Sequence, residues 1–175
     1  TGRAQFLLDG GVHQFAGLRH VLPSPLAALT ASRQLLQPHL PPFDTLQGLL
    51  KTADGTTGSF FLSFGIEAGG PKEFAFRGAK GSLVVDFAGP THTVCFTPTN
   101  VDGEDERRVE EWEMEGNGVE EEFKAFAAAL VAGPGSAEAK DVDERSGPRA
   151  ALKDLECIQR ALESGESGTW VALEV

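Results

Sequence analysis

The order of strand-like and helix-like segments constrains this 175-residue chain more than any other feature. A helix is predicted near the start, a run of short strands follows, and two helices and a last strand close the sequence. Alternation marks the strands, as where Phe60 and Leu62 alternate with Phe61 and Ser63. Strands that are followed by helices indicate an α+β fold. The sequence therefore predicts one α+β domain, residues 1–175, with a large open, predominantly antiparallel β-sheet and helices packed on one face.

Turn and cap residues give the predicted boundaries. Asp54-Gly55 predicts one hairpin turn, and the segment 78–81 predicts a second. Asp9 is predicted to cap a helix over about 11–21, and Ser146 to cap a helix over about 148–164. A further helix is expected from the apolar spacing in 119–130, and a mobile acidic loop is expected at 100–106. Strands are expected over 26–36, 45–52, 57–66, 73–77, 82–87, 91–97, 107–115 and 170–175.

Charge and cysteine content exclude several classes of function. The formal net charge of −11 argues against nucleic-acid partners and against an anionic membrane surface, because both need basic patches. No apolar run approaches the length that spans a bilayer. Cys95 and Cys157 form no disulfide or zinc framework, and we expect both to be core residues in a reducing, cytoplasmic compartment.

A carboxylate and an imidazole lie close together at the start of the first helix. Asp9 and His13 are four residues apart, so on a helix their side chains are neighbours and form a candidate proton-transfer pair. The alternative is a helix-capping aspartate and a partly buried histidine. Gly10 and Gly11 between them would allow a substrate or another backbone to approach closely. His20 falls on nearly the same face, but nothing else in the sequence supports a metal site there, and none is expected.

Several catalytic signatures are missing from the sequence. There is no G-x-G-x-x-G after a predicted strand, no P-loop and no G-x-S-x-G nucleophile elbow. The glycines at 78–81 belong to a hairpin rather than to a phosphate-binding loop, because no helical pattern follows them. The glutamates of 110–122 are best explained as a solvated face.

The segment Leu8-Asp9-Gly10-Gly11-Val12-His13, followed by Leu18-Arg19, resembles a motif of the glucose–fructose oxidoreductase, inositol dehydrogenase and MocA (Gfo/Idh/MocA) family. In that family the motif belongs to the substrate-facing helix of the C-terminal domain. The resemblance extends over most of the chain and is closest in character to fungal members. It includes Asp44-Thr45, the Asp54-Gly55 turn, the segments 76–83, 121–126 and 149–155, Ser164 and Gly168.

The resemblance implies the C-terminal substrate and dimerisation domain of an NAD- or NADP-dependent oxidoreductase that acts on a carbonyl or hydroxyl of a sugar, polyol or related small molecule. It implies that His13 is the acid/base group, and that Asp9 binds substrate or orients His13. Gly10 and Gly11 would line the substrate site. The catalytic lysine and the cofactor-binding glycines of the family belong to its N-terminal Rossmann domain, to which nothing in this sequence corresponds. The chain alone is therefore expected to be inactive.

The expected partners are a small-molecule substrate, a Rossmann domain of the same protein and a second copy bound through the open sheet face. The chain opens with Thr1 rather than Met, as expected of a piece of something longer. Two alternatives stay open: a non-catalytic relative of the family, and a standalone α+β module used for dimerisation or protein binding.

Overall fold

The computed structural model describes residues 5–68, 70–99 and 110–173. These residues form two four-stranded antiparallel sheets and four helices, which confirms the predicted α+β class. The chain divides into two compact units, residues 1–68 with 129–175, and residues 69–128. In chain order the elements are α1 (Gln5–Val21), β1 (Leu26–Gln34), β2 (Thr45–Thr52), β3 (Thr57–Ser63), β4 (Glu73–Gly78), β5 (Gly81–Asp86), β6 (Thr91–Pro98), β7 (Glu110–Glu115), α2 (Gly118–Ala132), α3 (Ala137–Ser146), α4 (Pro148–Ser167) and β8 (Val171–Ala172).

The first unit contains a sheet with the strand order β3-β2-β1-β8, and α1 and α4 pack together against it. Adjacent phenylalanines on β3 show that its two faces differ. The ring of Phe60 meets that of Phe15 on α1 edge to face at 5.6 Å, whereas Phe61 is exposed. The core between helices and sheet is made of buried apolar side chains: Leu7, Phe15, Leu29, Leu46, Leu50, Ile158, Ala161 and Leu173.

Two polar contacts fix α4 in this unit. The buried hydroxyl of Ser164 accepts a hydrogen bond from the amide of Ala31 at 3.0 Å and donates to the carbonyl of Thr169 at 2.6 Å. Arg19 of α1 holds the buried carboxylate of Asp154, with Nε–Oδ1 and Nη2–Oδ2 distances of 2.9 and 3.0 Å. Gly168 ends α4 in the left-handed conformation, which favours glycine.

The second unit contains a sheet with the order β4-β5-β6-β7 and an uninterrupted register. Because directly opposed residues share a face, the register separates an apolar face from a polar one. The polar face carries residues such as Glu73, Asp86, Glu111 and Glu113. The apolar face carries Phe74, Phe76, Leu83, Val85, Phe87, His92, Val94, Phe96, Glu110, Trp112 and Met114.

Some predicted boundaries are wrong. The first helix already includes Gln5, so Asp9 lies inside α1 and does not cap it. Gly147 rather than Ser146 is the residue before α4. The helix α3 was not predicted. The acidic loop expected at 100–106, and the part of the seventh strand expected at 107–109, lie outside the described residues. None of the helices in the described ranges combines the length with the apolar composition that a membrane span requires.

Candidate functional site

Asp9 and His13 lie on the exposed face of α1, one helical turn apart. The opposite face of this helix, with Leu7 and Phe15, is buried in the core. No ion pair or hydrogen bond joins Asp9 to His13 in the part of the chain that the structure describes. A carboxylate and an imidazole are thus presented together to whatever approaches this face. His20 is also exposed, two turns further along.

Gly10 and Gly11 serve helix packing in this structure. A Cβ on Gly11 would lie 2.7 Å from Cδ2 of Leu62 and 3.2 Å from Cδ1 of Ile158. A Cβ on Gly10 would lie 2.3 Å from Cζ of Phe64, which follows β3. The two glycines therefore let α1 approach the sheet edge and α4 closely. Gly11 is buried, and Gly10 is partly exposed at the border of the face that carries Asp9 and His13.

A buried carboxylate fixes the chain around Phe64. Asp44 is fully buried, and its carboxylate accepts hydrogen bonds from the amides of Leu36 and Gln37 and from the hydroxyl of Thr45. Its carbonyl accepts the amide of Phe64 at 2.9 Å. A Cβ on Gly65 would lie 2.5 Å from Oδ2 of Asp44, so only glycine fits there without displacing that carboxylate. Desolvation works to raise the pKa of Asp44, but the hydrogen bonds outweigh it and lower the pKa below its usual value.

The lowered pKa predicts acid sensitivity of the folded chain. The stabilisation from ionised Asp44 is complete above its unfolded pKa of about 3.9, and it is lost as the pH falls through the lower folded value. We expect Asp44→Asn to cost about 1–3 kcal/mol at neutral pH, because amide hydrogen bonds to a charge are lost. Below about pH 4, the free energy of unfolding should also fall less steeply with pH in the variant than in the wild type. Urea unfolding at several pH values measures both effects.

The matched control is Asp141→Asn, because Asp141 is exposed in a surface ion pair with Arg145. Such pairs contribute about 0–1 kcal/mol. Equal losses in the two variants, or an unchanged acid transition in Asp44→Asn, would contradict the role given to Asp44.

A cavity of about 220 Å³ in the first unit lies away from Asp9 and His13. Burial raises the pKa of the Cys157 thiol in its wall to about 12, so this cavity offers no thiolate at neutral pH. Its charged lining groups include Arg19 and Asp154, which already bind each other. Its lining consists of Phe15, Arg19, residues 22–26, Lys153, Asp154, Glu156, Cys157 and Leu173.

Metal ions and nucleotide phosphates each need a characteristic arrangement of protein groups. Among the described residues no group of three or more histidine, cysteine or acidic side chains is arranged so that it could hold a metal ion. The glycine-containing turn between Gly78 and Gly81 joins two antiparallel strands, so it presents no helix N-terminus to a phosphate. This turn therefore lacks the geometry of a phosphate-binding loop.

Comparison with known proteins identifies the family. Residues 2–173 match the family model described as "Oxidoreductase family, C-terminal alpha/beta domain", and the chain belongs to this family. It is 31% identical over 172 residues to Dehydrogenase FPY6 of Fusarium mangiferae, which covers 91% of this chain and 43% of that relative. The expected resemblance to the Gfo/Idh/MocA family and to a fungal member is confirmed.

Solved structures agree with the fold. An oxidoreductase from Thermotoga maritima is 26% identical and superimposes with a TM-score of 0.69, covering 96% of this chain and 44% of that one. A levoglucosan dehydrogenase in complex with NADH and levoglucosan is 15% identical with a TM-score of 0.61, over 95% of this chain and 50% of that one. At that identity the second likeness shows the fold alone. The chain spans less than half the length of the fungal relative and of the Thermotoga protein.

Proposed function

We propose that this chain is the substrate-binding and dimerisation half of an NAD- or NADP-dependent oxidoreductase acting on a hydroxyl or carbonyl of a sugar, polyol or related small molecule. The observation that carries the proposal is the exposed pair Asp9 and His13 on α1, in a chain of this oxidoreductase family. The sugar substrate and the nicotinamide are suggested by the levoglucosan dehydrogenase that shares the fold. We also propose a cytoplasmic location, which the two free thiols, Cys95 and Cys157, support.

In this proposal His13 moves the proton and Asp9 positions the reacting group. During oxidation of an alcohol, the imidazole takes the hydroxyl proton while the carbinol carbon loses a hydride. In the reverse direction, the protonated imidazole returns the proton to the carbonyl oxygen. The carboxylate of Asp9, one turn away, accepts a hydrogen bond from a second substrate hydroxyl or orients the imidazole.

When bound, the nicotinamide would supply the hydride acceptor or donor. We propose that a segment outside this chain holds its diphosphate and supplies the family's lysine; the turn at 78–81, which presents no helix N-terminus to a phosphate, supports this. The isolated chain is accordingly expected to have no hydride-transfer activity of its own.

The coding sequence upstream of Thr1 tests the proposal that another segment of the same protein binds the cofactor while this chain binds the substrate. We expect a strand, a G-x-G-x-x-G or G-x-G-x-x-A turn and a helix, and later a Glu-Lys-Pro motif. A reading frame that starts near Thr1 would contradict the oxidoreductase proposal and favour a module for dimerisation or protein binding.

We further propose that the apolar face of the second sheet binds a second copy of the chain. Each side chain of this face, from Phe74 to Met114, is at least partly exposed. Four strands of about six residues give a face of roughly 400 Å², comparable with apolar patches that mark interaction sites. The acidic side chains of this sheet lie mostly on the other face, so two copies could meet without opposing their negative charge. A self-complementary surface of this kind suits a two-fold dimer.

Neighbouring residues of β7 provide a matched test of the dimer. Trp112 and Glu113 are both exposed and point to opposite faces of the sheet. We expect the wild-type chain and Glu113→Arg to sediment as dimers, and Trp112→Arg to sediment as a monomer, because the new charge would be buried in the interface. A monomeric wild type, or a dimer in Trp112→Arg, would contradict this interface.

A further inference from the structure

The ring of Phe64 lies against α1 at Gly10, the residue that follows Asp9. A Cβ on Gly10 would be 2.3 Å from Cζ and 2.6 Å from Cε1 of this ring, so the ring rests directly on the helix backbone at Gly10. Gly10 follows Asp9 and precedes His13 by three residues, which separates Gly10 and His13 by about 60° around the helix axis. The aromatic edge therefore flanks the face that presents the carboxylate and the imidazole.

Phe64 is held in place although its side chain stays open to solvent. Its side chain remains 40% exposed. Its amide donates to the carbonyl of Asp44 at 2.9 Å, and the amide of Gly65 donates to Oγ of Ser63 at 3.2 Å. The carboxylate of Asp44 packs against Gly65 and leaves no room for a side chain there. Hydrogen bonds and close packing thus fix the backbone at Phe64 and Gly65, although the aromatic ring of Phe64 is partly exposed to solvent.

Resting on the proposed function, we propose that Phe64 is the apolar wall of the substrate site and selects cyclic polyhydroxy substrates. Sugar and inositol rings carry hydroxyls at their rim and present C–H groups on their faces. The electron-rich face of a phenyl ring attracts such polarised C–H groups, and ligand sites combine an aromatic wall with a few polar groups. Asp9 and His13 would receive the hydroxyls at the rim, while Phe64 covers one face of the ring.

In this arrangement, the absence of a side chain at Gly10 leaves room for the ring of Phe64 against α1. Any larger residue would push the ring of Phe64 away from the helix, and with it the wall of the site. Gly10 would then contribute to substrate binding through the position of Phe64, in addition to any direct contact.

The test compares cyclic and acyclic substrates of the full-length protein. The probes are glucose, xylose and myo-inositol on one side, and glycerol and sorbitol on the other. For Phe64→Leu we expect kcat/KM on the best cyclic probe to fall about tenfold, mainly through KM. The kcat/KM on the best acyclic probe and the Kd for NADH should stay within about twofold of wild type.

Phe61→Leu is the matched control, because Phe61 lies on β3 just before Phe64 and is 58% exposed on the face opposite to Phe60. It should leave all these constants unchanged. Gly10→Ala is a second variant that keeps the aromatic ring but displaces it, and we expect the same loss on the cyclic probe. It also keeps the proposal testable if Phe64→Leu fails to fold.

The outcomes separate this proposal from the proposed function. Unchanged kcat/KM values in both Phe64→Leu and Gly10→Ala would contradict the role of Phe64 in substrate binding, while the proposed oxidoreductase function would stand. A wild-type protein that turns over only the acyclic probes would likewise contradict the role of Phe64, while the proposed oxidoreductase function would stand. A weaker Kd for NADH without a change on the cyclic probe would assign the ring to the cofactor and overturn the proposal. No turnover of any probe by the wild type would contradict both proposals together.

Discussion

His13→Ala in the full-length protein is expected to lower kcat by about 100-fold or more, because removal of an acid/base group typically costs 10²–10⁴-fold in rate. The imidazole is exposed on α1, and among the described residues it takes part in no side-chain hydrogen bond or ion pair that its loss would break. The fold should therefore remain intact, and substrate binding should change much less than turnover. Steady-state rates on the best sugar or polyol substrate, with a thermal melt of each variant, give the comparison.

The same helix supplies the control for this experiment. His20 is also an exposed histidine of α1, two turns away from His13. We expect His20→Ala to retain nearly the wild-type rate. A loss of less than about threefold in His13→Ala, or equal losses in the two variants, would remove His13 from the proposed chemistry.

The second large effect is expected at the ion pair between α1 and α4. Asp154 is buried and Arg19 is mostly buried, and the guanidinium grips the carboxylate with two hydrogen bonds of 2.9 and 3.0 Å. The hydrogen bond to Asp154 raises the pKa of Arg19, so its charge persists at every accessible pH. Asp154→Ala would leave that charge without its partner, and we expect a loss of about 3 kcal/mol in the free energy of unfolding.

Two further variants distinguish the effect of the unpaired charge from the effects of lost packing and of losing an exposed ion pair. Arg19→Met/Asp154→Leu removes both charges, and it should be more stable than Asp154→Ala because no unpaired charge remains. Arg145→Ala breaks only an exposed pair with Asp141 and should cost well under 1 kcal/mol. A double variant as unstable as Asp154→Ala would mean that shape, rather than charge, dominates at this contact.

Local signals in the sequence were sufficient for the strands and for the hairpin turns. The alternation around Phe60 and Phe61 correctly assigned one ring to the core and the other to the exposed face. Asp54-Gly55 forms the turn between β2 and β3, with Gly55 at a positive φ of 91°. These features depend on residues that are close in sequence, so periodicity and turn chemistry capture them.

The helices show where such signals fail. The sequence predicted a first helix that begins near Gly11 and is capped by Asp9, yet α1 already includes Gln5 and runs through Gly10 and Gly11, which pack against Phe64 and Leu62. That tertiary gain offsets the low helix propensity of glycine. Helix α3 was missed because its sequence, AEAKDVDERS, has no apolar stripe. Its start is fixed locally, where the hydroxyl of Ser136 accepts the amide of Ala139 at 3.1 Å.

The candidate site was predicted only in part for the same reason. The spacing of Asp9 and His13 correctly indicated two neighbouring side chains, because both lie on one helix. The ring of Phe64 and the carboxylate of Asp44 come from distant segments, and the Arg19–Asp154 pair joins residues separated by 135 positions. Contacts of this kind depend on the folded packing. The sequence signal available for Phe64 was Gly10, because the ring of Phe64 occupies the space that a side chain at this position would need.

A crystal structure of the full-length protein with an oxidised nicotinamide cofactor and its substrate would test the central claim most directly. We expect the substrate hydroxyl within about 2.6–3.2 Å of the His13 imidazole. The reacting carbon should lie about 3–3.5 Å from C4 of the nicotinamide. The exposed face of α1 would then be the floor of the active site. A nicotinamide bound away from this face, with His13 still open to solvent, would contradict the account.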